Sequence, residues 1–247
     1  MTTDPKTKLT TTTALTPPAE LEQQLEEDAG RGVSDRFEDS LLPLIGTLQT
    51  MSPQCDKHDA AYVEGAEPGL FYLRDSITPI RKTLEVLPIG QRRSWIEWAA
   101  GRGGFVARFA EPPSDAEKTL VNGRVTYARP GSNNPIEDTR EIFVVLDDTL
   151  YMFPCRSTFH TFARNWQSYL RQLKNPRTGK TLPSYAKKYR LSTVLKQNPK
   201  GRWFFPVFAD LGWASLAEFN AARELNRFVE SNMPALLPGG TRSSDAA

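Results

Sequence analysis

The chain is 247 residues long, 39% apolar and 24% charged, with a net charge of +2, an ordinary soluble composition with length enough for a substantial core. No apolar run is long enough to cross a bilayer, and the first residues lack the apolar stretch of a secretory signal. A cytoplasmic protein, working without a membrane and with reduced thiols at Cys55 and Cys155, is therefore expected.

The small net charge averages two opposite segments. Residues 1–40 hold nine acids against four bases, whereas residues 151–209 hold twelve Lys or Arg and no Asp or Glu. Residues 1–17 are polar and Thr-rich, the composition of disorder. Residues 18–29, PAELEQQLEEDA, predict a short acidic helix with Leu21 and Leu25 on one side. The expected organisation is an acidic extension over 1–34, disordered or partly helical, one domain over 35–233, and a flexible tail over 234–247.

From Leu44 to Tyr151 the pattern predicts strands at Leu44–Thr50, Leu70–Arg74, Lys82–Leu87, Arg93–Ala99, Phe105–Phe109, Val121–Ala128 and Glu141–Leu146, broken by turn residues. EIFVVL-DD-TLYMF reads as a hairpin turning at Asp147-Asp148. Ser157 or Thr158 then caps a helix to about Lys174. Its apolar stripe is Phe159, Phe162, Trp166, Tyr169 and Leu173, and its opposite stripe is His160, Arg164, Gln167, Arg171 and Lys174. A second hairpin pairs Lys187–Lys196 with Arg202–Phe208. A last helix starts at Ser215, with Glu218 completing a capping box and Leu216, Phe219, Leu225 and Phe228 turned inward. The fold class is α+β, a β-rich core with flanking helices, and a small OB-like barrel suits the strand count.

The second hairpin carries the functional argument. Lys188, Arg190 and Lys196 alternate onto one side of its first strand, and the partner strand brings Arg202, Trp203 and Phe204. Single-stranded nucleic acid needs that combination, cations for phosphates and flat rings for bases. Aromatic residues at these spacings are more often core, strongly so for the helix and modestly so for Trp203. The acid-free run tilts the balance, because a solvated surface ordinarily mixes charge signs. The expected contacts are Lys187, Lys188, Arg190, Lys196, Lys200, Arg202, Trp203 and Phe204 on the hairpin and Arg164, Arg171 and Lys174 on the helix. A second patch adds Arg92, Arg93, Trp95 and Arg102.

Catalytic readings are weaker. Cys55, His58, Cys155 and His160 are weak candidates for a zinc site and Asp147-Asp148 for a nuclease metal, though a turn explains the acid pair better. Gly179-Lys180-Thr181 lacks the upstream glycine of a phosphate loop, whose place Lys174 holds. The expectation is a non-enzyme without a cofactor.

The runs LPLIGTLQTMSP, VEGAEPGLFY, LEVLPI and GGFVARF, followed by FHTFARNWQSYLRQL and PSYAKKYRLSTVLKQNPKGRWFFPVF, resemble a group of tailed-bacteriophage and prophage proteins over roughly residues 41–230. The layout of the later half, FHTFARNWQSYLRQL followed by PSYAKKYRLSTVLKQNPKGRWFFPVF, is similar to phage single-stranded-DNA-binding proteins. The resemblance implies an OB-like core and a DNA-transaction role, in replication or recombination inside the bacterial host cell. With the hairpin's cations and rings, the leading expectation is a sequence-tolerant binder of single-stranded DNA, with homo-oligomer formation left open. It transfers no catalytic residue. Many such proteins end in an acidic tail that recruits replication or recombination partners. This chain ends SSDAA and places its acidic segment first instead. The rival readings are a phage structural or interaction protein and a metal-dependent nuclease.

Overall fold

A computed structural model describes residues 42–74, 80–101, 104–121, 124–199 and 201–232. The expected extension over 1–34 and tail over 234–247 lie outside these residues, as do Arg102 and Lys200. The strands are β1 (Leu44–Thr47), β2 (Phe71–Arg74), β3 (Ile80–Arg81), β4 (Leu84–Trp98), β5 (Phe105–Phe109), β6 (Glu117–Val121), β7 (Arg124–Ala128), β8 (Pro135–Leu146), β9 (Thr149–Arg156), β10 (Lys187–Asn198) and β11 (Gly201–Trp213). Two α-helices, α1 (Phe159–Gln172) and α2 (Leu216–Asn232), and two single-turn 3-10 helices, Pro53–Cys55 and Ser184–Ala186, complete the described elements.

One sheet joins all eleven strands along the path β11-β10-β4-β8-β9-β1-β2-β3, with β5 on β4 and the β6–β7 hairpin on β8. The α+β class holds. Among the described residues the path stays open, with no pairing between its ends at β11 and β3, rather than closing as a small barrel does.

The apolar run of β8 explains the layering. Ile142, Val144 and Leu146 join the core that α1 covers through Phe162, Ala163, Trp166 and Leu170. Phe143 and Val145 point the other way, into a second core with Ala222 and Val229 of α2. A strand covered on both faces reads as a continuous hydrophobic run, not an alternating one. The turn into β9 matches its prediction: Asp147 and Asp148 both take positive φ, 48° and 60°, the conformation of the tight turns that suit a hairpin's twist.

Other elements differ from their predictions for local reasons. The strands expected at Lys82–Leu87 and Arg93–Ala99 are one strand, β4, whose pairing with β8 slips between Pro88 and Gly90. The Pro-Ile-Gly sequence therefore marks a bulge inside a strand, not a break. α1 starts at Phe159 with Thr158 in the N-cap position, but Thr158 makes no side-chain capping bond. The α2 capping box does form, Ser215 N–H donating to Glu218 Oε2 at 2.8 Å and Glu218 N–H to Ser215 Oγ at 3.3 Å. Leu216, expected inside, is 77% exposed.

The β10–β11 hairpin overhangs the sheet. Only Tyr189, Arg190 and Leu191 of β10 pair with β4. The distal part rests on the segment between β1 and β2. Thr193 Oγ1 donates to the Gly69 carbonyl at 2.6 Å, and the Gln49 amide takes both backbone groups of Phe204, at 2.9 and 3.0 Å. Gly69 (φ 97°) is required there, because a Cβ would lie 2.5 Å from the Phe204 ring.

Candidate nucleic-acid interface

The acid-free run in the sequence is not acid-free in space. Lys187 Nζ lies 2.6 Å from Asp210, Lys188 Nζ 2.8 Å from Glu218, Arg190 2.7 Å from Glu85 and Arg156 3.0 Å from Glu137. Two of these acids sit on strands beside the run, on β4 and β8, and two follow it in β11 and α2. The Lys188 bond holds the Glu218 carboxyl down at about 2, with help from Ser215. Burial alone would raise Asp210, but hydrogen bonds from Lys187, Gly212 and Tyr169 bring it below its ordinary value. The base of the hairpin is thus charge-matched, and Lys187, Lys188 and Arg190 are not the free phosphate contacts that the sequence suggests.

The expected second patch is largely spent on internal structure. Arg92 and Arg108 converge on Glu141, at 2.5 and 2.8 Å, and all three side chains are nearly or fully buried. Ser94 Oγ donates to the same carboxylate at 2.7 Å. Trp95 is only 7% exposed and packs edge-on against Tyr127, so it offers no free ring face. Arg93 is exposed but bonded through two nitrogens to Asp138, at 2.9 and 2.8 Å. Pairing of this kind accounts for the Arg-rich look of β4 and β5 without any ligand.

The aromatic residues of the hairpin are also mostly committed. Trp203 packs against the α1-side core. Phe204 fills the space above Gly69 and lines a shallow cleft of about 300 Å³ with Thr50, Glu67, Pro68, Leu195 and Arg202. Lys196 stands exposed at the tip, opposite Trp203 in the ladder, its ammonium 3.7 Å from the centre of the Phe205 ring. A cation beside aromatic rings is present, but the rings face mainly inward.

The weak metal candidates do not gather. Cys155 is fully buried in β9, which pushes its thiol well up from the ordinary value. His160 uses Nε2 on the Asp138 carbonyl at 2.8 Å. Cys55 and His58 sit in the segment between β1 and β2. Among the described residues no group of three or more His, Cys, Asp or Glu is placed to share a metal, and no helix is long and apolar enough to cross a membrane.

The outer face of α1 is different. Its buried residues are Phe162, Ala163, Trp166 and Leu170, with Trp166 stacked on Phe208 at 5.6 Å. That packing turns Arg164 and Arg171 to solvent on one side of the helix, about 10.5 Å apart at 1.5 Å per residue. The chain then makes a closed loop: Lys174 and Thr181 form a bridge, and Asn175 N–H donates to the Lys180 carbonyl at 2.8 Å. Lys174, Arg177 and Lys180 are exposed on this loop. Among the described residues, none of the five cations Arg164, Arg171, Lys174, Arg177 and Lys180 has an acidic partner, and α1 itself contains no acid. Arg177 and Lys180 were not among the contacts expected from the sequence, where Gly179-Lys180-Thr181 was weighed only as a phosphate loop and set aside.

A further ring escaped the sequence reading. Trp213, at the end of β11, is 59% exposed, whereas the other four tryptophans are buried or half-buried. Lys187 lies opposite it in the ladder, with its ammonium 5.3 Å from the ring centre. A second cavity, about 310 Å³, lies between β4, α1 and α2 and is lined mainly by apolar and neutral polar groups with Glu230 at its side, so it adds no cation to the surface.

No curated protein and no solved structure matches the chain. A family model described as Pam3 phage gp34-like protein matches residues 10–233, and the chain belongs to that family of phage proteins.

Proposed function

We propose that this protein binds single-stranded DNA without sequence preference, through the outer face of α1 and the loop that follows it, and serves DNA replication or recombination in the infected cell. The observation that carries the reading is the run of five acid-free cations from Arg164 to Lys180, contiguous along one helix face and the closed loop at its end. The spacing of Arg164 and Arg171 matches about three phosphates of a stacked strand at roughly 3.4 Å each. Lys196 and Arg202 at the hairpin tip give a second, smaller cationic site. The protein holds the strand and does no chemistry on it. Its acidic segment ahead of residue 35 recruits protein partners.

A gel shift with single- and double-stranded oligonucleotides of equal length, across a salt series, tests this. Retention of the single strand at low salt and steep loss as salt rises is the expected result. No shift at any salt overturns it, and assigns the basic face to an acidic protein surface of the phage particle instead. Cleavage of the oligonucleotide on adding magnesium or manganese would replace it with the nuclease reading.

A further inference from the structure

We infer that Trp213 is the base-stacking platform of this surface, and that it makes the surface prefer strands with unpaired bases over bare phosphate backbone. The inference rests on the polyanion-binding reading above and names what that site takes. A chain of contacts joins Trp213 to the basic end of α1. Tyr169 of α1 donates to Asp210 Oδ2 at 2.8 Å, Lys187 reaches the same oxygen at 2.6 Å, and Lys187 in turn lies over the Trp213 ring. Arg171 follows Tyr169 at the same helix end, and Lys174 opens the loop just after it. Asp210 is the acid at this join, with Lys187 as its countercharge and Tyr169 donating a hydrogen bond to it.

An indole this exposed forgoes the burial that most tryptophans obtain. Leu211 and Leu216, close to it in the chain, are likewise 37% and 77% exposed. A flat apolar ring joined by these contacts to the unmatched cations at the end of α1 fits a nucleobase with its phosphates: the ring stacks, the cations hold the backbone, and neither contact reads sequence. A duplex, whose bases are already stacked, gains only the second contact.

The test uses the full chain with two ligands, oligo-dT and an abasic phosphodiester strand of equal length. Trp213→Ala is expected to weaken oligo-dT binding roughly 5- to 150-fold and to leave abasic-strand binding unchanged. Trp213→Phe keeps a ring and is expected to retain oligo-dT affinity while losing most of the fluorescence quenching seen on titration. Unchanged oligo-dT affinity in Trp213→Ala, or equal weakening for both strands, overturns the stacking role and leaves the phosphate-binding reading standing. Failure of the parent protein to bind either strand overturns both.

Discussion

Replacing Arg164 and Arg171 together by Ala removes two of the five unmatched cations while leaving the buried side of α1, formed by Phe162, Ala163, Trp166 and Leu170, untouched. The size of the effect follows from counterion release. Each phosphate neutralised on a single strand contributes about −0.7 to the slope of log affinity against log salt, so five contacts give about −3.5 and three give about −2.1. Between about 50 and 200 mM salt the parent should therefore lose roughly 100-fold in affinity and the double variant roughly 20-fold. Fluorescence anisotropy of a labelled oligo-dT at four or more salt concentrations reads both slopes. Arg190→Ala is the internal comparison, because Glu85 already matches that guanidinium at 2.7 Å. It should leave the slope where it was. A slope unmoved by the α1 pair but lowered by Arg190→Ala would show that phosphates approach the hairpin base, and the assignment to α1 would fall.

Other expectations concern the framework of this surface. Gly69→Ala should cost about 2–4 kcal/mol in urea denaturation, from left-handed backbone strain plus overlap with the Phe204 ring, and the cost should shrink in a Phe204→Ala background. Glu141→Ala should cost about 3–5 kcal/mol, because it strips the buried carboxylate that Arg92 and Arg108 share; a loss below about 1 kcal/mol in the same assay would contradict the buried cluster. The Glu218 carboxyl is held at about 2 against an ordinary 4.5, so its contribution is complete above that ordinary value and fades as pH falls from about 4.5 toward 2. Thermal melts over this range should lose that part of their acid sensitivity in Glu218→Gln.

The sequence was most readable where one local rule decides. The Asp147-Asp148 turn, the Ser215–Glu218 capping box and the apolar stripe of α1 each depend on a few neighbouring side chains. It misled where partners come from far along the chain. Twelve cations without an intervening acid looked like one positive field, yet Glu85 reaches Arg190 across 105 positions and Glu218 reaches Lys188 across 30. Charge counted along a chain overlooks acids that the sheet brings alongside. Trp213 stayed hidden for the same reason: Asp210 ends the acid-free run three residues before it, although Lys187 pairs with that acid in the fold and Tyr169 donates a hydrogen bond to it. Pro88 and Gly90 resembled a break because a bulge and a loop use the same residues.

The way Gln49 fastens the hairpin also bears on how copies of this protein meet. β11 ends the sheet path, and an outermost strand invites another strand to add to it. Here the Gln49 amide occupies both main-chain groups of Phe204, and Pro206, two residues on, has no N–H to donate. An incoming strand would meet two successive missing rungs in the middle of the ladder. Side-by-side growth of sheets is thereby discouraged on this border, and molecules at high local concentration can lie close together without zipping into aggregates through it.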